Sequence, residues 1–163
     1  MIETISAFVT ALGVPFAIFV FWKQRQRERE NEEIAIYESI TSDYNDFLRL
    51  LTRHSDLRLW SKPSTGPLTE EQEERLMILF DLLVSLFERA WLLSWSPKMT
   101  KAEARRWAAW DNYMREWIER EDFAAHLPEL LQASDPDFVA YVNRLAGEVA
   151  GKRAGQGLGP RLT

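Results

Sequence analysis

Residues 2–22 read IETISAFVTALGVPFAIFVFW and carry no charge between Glu3 and Lys23. About 20 apolar residues, at a rise of about 1.5 Å per residue, cover the ~30 Å hydrocarbon core of a bilayer. The stretch therefore predicts one transmembrane helix. A cleaved signal peptide fits less well, because a basic N-terminal region and a small-residue cleavage site are missing. A buried helix of a globular domain is the remaining alternative.

The residues next to this stretch predict its orientation. Basic side chains follow it directly, at Lys23, Arg25, Arg27 and Arg29, and none precedes it. The positive-inside rule then places the N-terminus outside and the rest of the chain in the cytoplasm. Residues 23–33 alternate these basic residues with glutamates and predict a solvated helical stalk. Binding of the stalk to anionic lipids is the alternative.

Small residues lie on one side of the predicted span. Ser6, Thr10, Gly13 and Ala17 follow a 4-3-4 spacing and so share one face of a helix. Small residues let a second helix approach closely, which makes this a candidate packing face in the membrane. An ordinary lipid-facing helix with incidental small residues is the alternative. Pro15 lies mid-span and is expected to bend the helix.

After the stalk, apolar residues recur at helical spacing up to about Trp60, where residues 62–67 (KPSTGP) end the helix. Thr69 and Gln72 then form a capping box that predicts the start of the next helix. Leu76–Trp95 is apolar on nearly all sides, which is typical of a helix buried within a bundle. Its charged residues argue against a second membrane span.

Those charged residues form a polar strip on the second helix. Asp81, Ser85 and Glu88 are spaced at i, i+4 and i+7, and Arg89 lies beside them. One interpretation is the solvated edge of a core helix. The other is a strip that binds a cation or pairs with an arginine elsewhere in the fold. Two carboxylates two turns apart do not decide between them.

Two further helices complete the predicted bundle. Thr100 and Glu103 form a second capping box before a helix over about 101–120. Its large apolar residues predict a core rather than a ligand cage: Trp107, Trp110, Met114 and Trp117. A short helical turn should stop near Pro128, with a resumption over Glu129–Ala133 as the alternative. The last helix should begin at Asp135 and end at Gly151.

The predicted fold is therefore all-α. A transmembrane helix continues into an irregular cytoplasmic bundle of about four helices. The predicted segments are an anchor (1–22), a stalk (23–33), a bundle (34–150) and a disordered tail (151–163).

Composition excludes several classes of function. The chain has a net charge of −5, so it lacks the basic footprint of a nucleic-acid-binding protein. It has no cysteine, which rules out thiolate catalysis and cysteine-bound zinc. The histidines, His54 and His126, form no metal-binding or catalytic motif and are interpreted as structural. We expect no enzyme activity, no cofactor and no metal.

Three helical motifs carry a resemblance: TSDYNDFL around Tyr44, the step Phe87-Glu88-Arg89, and W-x-x-W followed by R-E-x-F at the end of the third helix. With the single N-terminal span, they resemble uncharacterised bacterial single-span membrane-anchored helical proteins. The resemblance covers about residues 1–149 and implies a location in the bacterial inner membrane. It implies no catalytic residues.

These observations lead to three functional hypotheses. The first is a membrane-tethered module, without catalysis, that binds a protein partner or a second copy of itself. The second is a membrane-acting effector that forms a pore or disrupts the bilayer. The third is a small-ligand or metal sensor that uses Asp81, Glu88 and Arg89 or the tryptophan cluster.

Overall fold

The computed structural model describes residues 2–60 and 67–157, with side chains described for residues 18–29, 31–60 and 67–154. Over these residues the secondary structure is helical, with no strand, which confirms the all-α prediction. The helices are α1 (Ile2–Arg53), α2 (Glu70–Ser94), α3 (Lys101–Ile118), α4 (Glu121–Leu130) and α5 (Pro136–Gly157), with a 3-10 turn at Ser55–Leu57.

The chain divides into two units, residues 1–38 and residues 39–163. The first unit holds the start of α1, including the predicted membrane span. The candidate packing face of Ser6, Thr10, Gly13 and Ala17 lies outside the described side chains. Within the described part of the chain, no helix combines the length and the apolar character needed to cross a membrane.

The second unit has an aromatic core. The end of α1 contributes a buried stripe, at the spacing predicted from the sequence: Ile40, Tyr44, Phe47 and Leu51. α3 contributes the four large residues predicted to be core, and all four are buried: Trp107, Trp110, Met114 and Trp117. α3 packs against α2, α4 and α5, so this row of large side chains lies at the centre of the bundle. Edge-to-face ring contacts join the helices here, with 5.0 Å between the centroids of Phe80 and Phe123.

Local sequence signals set the helix starts. At α2 the Thr69 side chain accepts from the Gln72 amide, and the Gln72 side chain accepts from the Thr69 amide. Thr100 and Glu103 form the same reciprocal pair before α3. Each pair satisfies two amide groups that have no partner inside the helix, which is why both predicted capping boxes form.

Three helix ends differ from the predictions. α1 ends at Arg53 rather than near Trp60, because Leu57 and Leu59 turn inward and are buried, and Arg58 adopts a left-handed conformation with φ of 48°. The short turn predicted near Pro128 is instead a ten-residue helix, α4, which runs through Pro128 to Leu130. Burial of Phe123 and Leu127 stabilises α4 despite the hydrogen bond that Pro128 removes.

The third difference concerns the C-terminal helix. The sequence predicts that α5 ends at Gly151 and that a disordered tail covers residues 151–163, but α5 continues to Gly157; residues 158–163 of the predicted tail lie outside the described residues. Gly151 does not adopt the positive φ of a helix-ending glycine. Two residues further on, Arg153 Nη2 donates to the carbonyl oxygens of Ile118 and Glu119. These carbonyls lie at the C-terminal end of α3, so Arg153 caps α3 and holds the last turns of α5 in place.

Candidate functional site

The predicted polar strip on α2 separates into an inner and an outer part. Glu88 is half-buried, and its carboxylate accepts hydrogen bonds from the Ser134 hydroxyl at 3.2 Å and the Asp135 amide at 2.5 Å. Asp135 in turn caps α5, since its side chain accepts from the amides of Asp137 and Phe138. Glu88 therefore connects α2 to the start of α5.

Arg89 pairs with a carboxylate on another helix. Its Nη1 lies 2.7 Å from Oδ2 of Asp43 on α1, and both side chains are partly exposed. The sequence offered a pairing between a carboxylate of the strip and an arginine elsewhere in the fold. The structure shows the reverse, because the arginine, Arg89, belongs to the strip and the carboxylate, Asp43, lies on α1. Asp81 and Ser85 are exposed. Within the described residues, Asp81 makes no ion pair and no side-chain hydrogen bond.

The exposed strip lies among large apolar side chains. Four of them are well exposed on α2: Ile78 (61%), Leu82 (44%), Leu92 (57%) and Leu93 (49%). At about 100° per residue, these four residues with Asp81, Ser85 and Arg89 span a sector of roughly 120°. We call this sector the outer face of α2. It corrects the prediction that Leu76–Trp95 is buried on nearly all sides, because only the opposite face meets α3, α4 and α5.

A groove runs beside the outer face, between α2 and the end of α1. Its volume is about 760 Å³, and it has an apolar floor that includes Phe47, Leu50 and Leu86. Its rim is charged. Arg49 lies 2.7 Å from Asp46, and Arg89 lies 2.7 Å from Asp43, so these charges are neutralised within the chain. The groove has the apolar centre and polar rim that are typical of a protein-binding surface.

A second cleft, of about 570 Å³, lies between the end of α3, the later part of α5 and residues 59–60. Trp60 lines it and is 78% exposed. Two of its basic residues are engaged within the chain. Arg120 binds the Asp122 carboxylate and donates to the Leu59 carbonyl at 2.8 Å, and Arg153 binds the end of α3. These guanidinium groups hold the fold together.

A buried polar network joins α3 and α5. Trp107 Nε1 donates to the Tyr141 hydroxyl at 3.0 Å, and that hydroxyl donates to Asp111 at 2.5 Å. Burial, together with the hydrogen bond to Asp111, raises the pKa of Tyr141 to about 12. The phenol therefore stays protonated at neutral pH and is not set up as a base. Asp111 also pairs with Arg115 at 2.6 Å.

The same network continues to the surface of α5. Arg115 lies 2.8 Å from Glu148, which also meets Arg144 at 2.7 Å. Hydrogen bonds from Arg115 and then Arg144 lower the pKa of Glu148 below its usual value. The network joins two helices through alternating charges and was not predicted from the sequence. Its i, i+4 pairs, Asp111 with Arg115 and Arg144 with Glu148, were the available sequence signal.

The remaining sequence-predicted residues lie apart. His126 Nδ1 lies 2.8 Å from the Asp122 carbonyl within α4, as expected for a structural histidine. His54 precedes the 3-10 turn. Among the described residues, no three or more metal-ligating side chains come together. The outer face of α2 and its groove are therefore the candidate functional site.

Comparisons of the chain with protein-family models, with curated protein sequences and with solved structures gave no match.

Proposed function

We propose that this chain is a membrane-tethered helical module that binds another protein through the outer face of α2. One observation supports the binding role most strongly: of the large apolar side chains that are exposed on the described part of the bundle, four lie along α2, whereas α3 contributes Tyr113 and the segment after the 3-10 turn contributes Trp60. Single exposed apolar residues are common on protein surfaces. A contiguous stripe of them, with polar residues interspersed, is typical of an interaction site.

The tether rests on the sequence of the first unit. Residues 2–22 are apolar after Glu3, and four basic residues follow within one stretch, residues 23–29. This pattern supports a single span in the inner membrane of a bacterium, with the N-terminus outside and the bundle in the cytoplasm. A module tethered in this way meets its partners in a thin layer beside the membrane, where even a modest affinity is enough for binding.

The groove beside α2 supports protein contact better than chemistry. Two of its arginines, Arg49 and Arg89, pair with Asp46 and Asp43, and its floor is formed by leucine and phenylalanine side chains. An apolar floor with a polar rim suits the side chains of a second protein. Catalysis would need a nucleophile or a base within reach of a bound substrate.

The tether is tested by cell fractionation. Replacing Val9 and Val14 with Arg puts two charges inside the proposed span, at a cost of roughly 2.5–3.5 kcal/mol each near its centre. We expect the wild-type chain to resist alkaline extraction from membranes and the double Arg variant to be extracted. The double Leu variant at the same positions is the control. Full extraction of the wild-type chain would contradict the tether.

The binding role is tested on the outer face. Replacing Ile78 and Leu82 with Glu should abolish a complex recovered from the native membrane while the bundle stays folded, because both side chains are largely exposed. The matched control introduces the same two charges at exposed polar positions, as Gln132→Glu with Asn143→Glu. A complex that survives the first variant would rule out this face as the binding site.

A further inference from the structure

The outer face of α2 has a symmetrical arrangement of side chains about Ser85. Asp81 precedes Ser85 by four residues and Arg89 follows it by four; Ile78 precedes it by seven and Leu92 follows it by seven. At about 1.5 Å per residue, the two charges lie roughly 6 Å on either side of Ser85, and the two apolar side chains lie roughly 10 Å away. Asp81 is thus matched by the oppositely charged Arg89, and Ile78 by the apolar Leu92, at the same distance on the other side.

We propose that two copies of this chain form a symmetric dimer in which their α2 helices pack antiparallel, with Ser85 at the two-fold axis. The inference rests on the proposed binding role of this face and names the partner as a second copy. A two-fold interface brings residue i of one copy opposite residue j of the other, and j opposite i. Here Asp81 comes level with Arg89 of the second copy, and Ile78 with Leu92.

Charge complementarity selects the second copy as the occupant. The antiparallel pair brings two oppositely charged side-chain pairs together, one on each side of the axis. Asp81 makes no ion pair within the described part of its own chain. Arg89 uses Nη1 for Asp43 and keeps further N–H donors on the same guanidinium, which has five. Both residues therefore have capacity for a partner.

The same charges argue against a parallel arrangement. Two parallel α2 helices in register would place Arg89 opposite Arg89 and Asp81 opposite Asp81. Like charges facing each other at an interface cost binding free energy. Ser85 fits the antiparallel axis because its small side chain lets two helices approach to the 8–10 Å that is usual between packed helices. Ile78 of each copy and Leu92 of the other then cover one another on either side of it.

Charge reversal in mixed copies tests the pairing. Asp81→Arg chains alone, or Arg89→Asp chains alone, would carry two repulsive pairs per dimer. A mixture of the two variants restores both attractive pairs in the heterodimer. With the full-length chain in mild detergent, we expect each variant alone to weaken self-association by roughly tenfold or more and the mixture to recover dimers. The readout is sedimentation, with two different fluorescent labels to identify the heterodimer.

The mixed experiment also separates the pairing from damage to the fold. A misfolded variant would not be rescued by a second variant, so recovery in the mixture requires that both chains are folded and paired. Variants that dimerise as well as the wild type, or a mixture that fails to recover, would overturn the proposal. The Arg89→Asp chain also loses its contact with Asp43. This loss lies within one chain and cannot explain the recovery of dimers in the mixture.

Crosslinking tests the position of the axis. The chain has no cysteine, so a single introduced cysteine reports on one site. We expect Ser85→Cys to form a disulfide-linked dimer on mild oxidation in membranes, because its two copies face each other at the axis. Gln132→Cys, exposed beyond the end of α4, is the control and should remain monomeric. Equal crosslinking at both positions would contradict the axis at Ser85.

The two proposals fail in different ways. If the tether is wrong, the chain is recovered in the soluble fraction, and the mixed-charge experiment still reports on the dimer. If the dimer is wrong and the binding role is right, variants of Ile78 and Leu82 lose a different protein while self-association is unchanged. That result would assign the outer face to another partner.

Discussion

Both faces of α2 carry large apolar side chains, but their surroundings are opposite. Leu79, Phe80 and Leu83 on the inner face are almost fully buried, whereas Ile78 and Leu82, adjacent to them in sequence, are largely exposed. Apolar character alone therefore does not decide which residues of this helix form the core. What decides it is the position of the other helices, which contact the inner face.

The largest effect should come from truncating the inner face. Leu83→Ala removes a side chain that is fully buried, and we expect a loss of about 2–5 kcal/mol in the free energy of unfolding from lost burial and a residual cavity. Leu82→Ala, one residue earlier, should cost less than about 1 kcal/mol. Denaturant unfolding of the full-length chain, followed by tryptophan fluorescence, measures both.

Self-association needs to be controlled in this pair of measurements. Ligands and subunits that bind the folded state raise apparent stability by mass action. Both variants should therefore be compared at concentrations where the unfolding midpoint no longer depends on concentration. Equal losses of unfolding free energy for Leu82→Ala and Leu83→Ala under these conditions would contradict the burial of the inner face and the exposure of the outer face.

The next effect concerns the buried polar network between α3 and α5. Tyr141→Phe removes the hydroxyl that pairs Trp107 with Asp111, and it leaves a buried indole N–H without that acceptor. We expect a loss of about 1–3 kcal/mol at neutral pH, which is the usual cost of an unsatisfied buried polar group. This loss of unfolding free energy is smaller than the loss expected for Leu83→Ala on the inner face of α2.

The pH dependence of this variant sharpens the test. The folded-state pKa of Tyr141 is raised from 10.0 to about 12, so folding favours the protonated phenol. The resulting stability is fully present below pH 10 and is lost as the pH rises towards 12. Between these values the wild-type chain should lose more stability than Tyr141→Phe. Parallel declines in the two chains would contradict the assignment of this loss to Tyr141.

Local signals predicted much of the fold, and the positions of distant segments explain what the sequence did not predict. The capping boxes at Thr69 and Thr100 involve residues three apart, so they could be predicted without knowledge of the fold. The pair between Arg89 and Asp43 joins residues 46 apart. Likewise, α5 continues past Gly151 because Arg153 reaches α3, a contact that a local rule for glycine does not include.

Only part of the candidate site could be predicted, because contacts between segments that are distant in sequence leave no local pattern. Asp81, Ser85, Glu88 and Arg89 stood out as a polar strip in an apolar helix, and the structure places three of them on the exposed side. Glu88 lies at the boundary and connects to Ser134 and Asp135, which a helical pattern in α2 cannot reveal. The apolar residues of the outer face were predicted to be core because they are of the same residue types as the buried residues of α2.

Glu88 therefore gives a third test, at the boundary between the two faces. Glu88→Ala removes the acceptor for the Asp135 amide and the Ser134 hydroxyl, and we expect a loss of about 1–2 kcal/mol, in the range of a lost capping interaction. Asp81→Ala, two turns earlier on the exposed side, should change the unfolding free energy of the monomer by less than about 0.5 kcal/mol. Equal effects of the two would place Glu88 on the outer face.

The smallest effect should come from the ion pair between Arg89 and Asp43. Its side chains are 55% and 39% exposed, so solvent screens their attraction, and pairs of this kind contribute about 0.2–1 kcal/mol. Asp43→Asn should lower stability within that range, and the difference from wild type should shrink as salt is raised from 0.05 to about 0.5 M. Dimerisation should change little, because Asp43→Asn leaves both Asp81 and Arg89 in place. A loss of dimers in this variant would show that Asp43 positions Arg89 for the second copy, and the intramolecular pair would then be part of the interface.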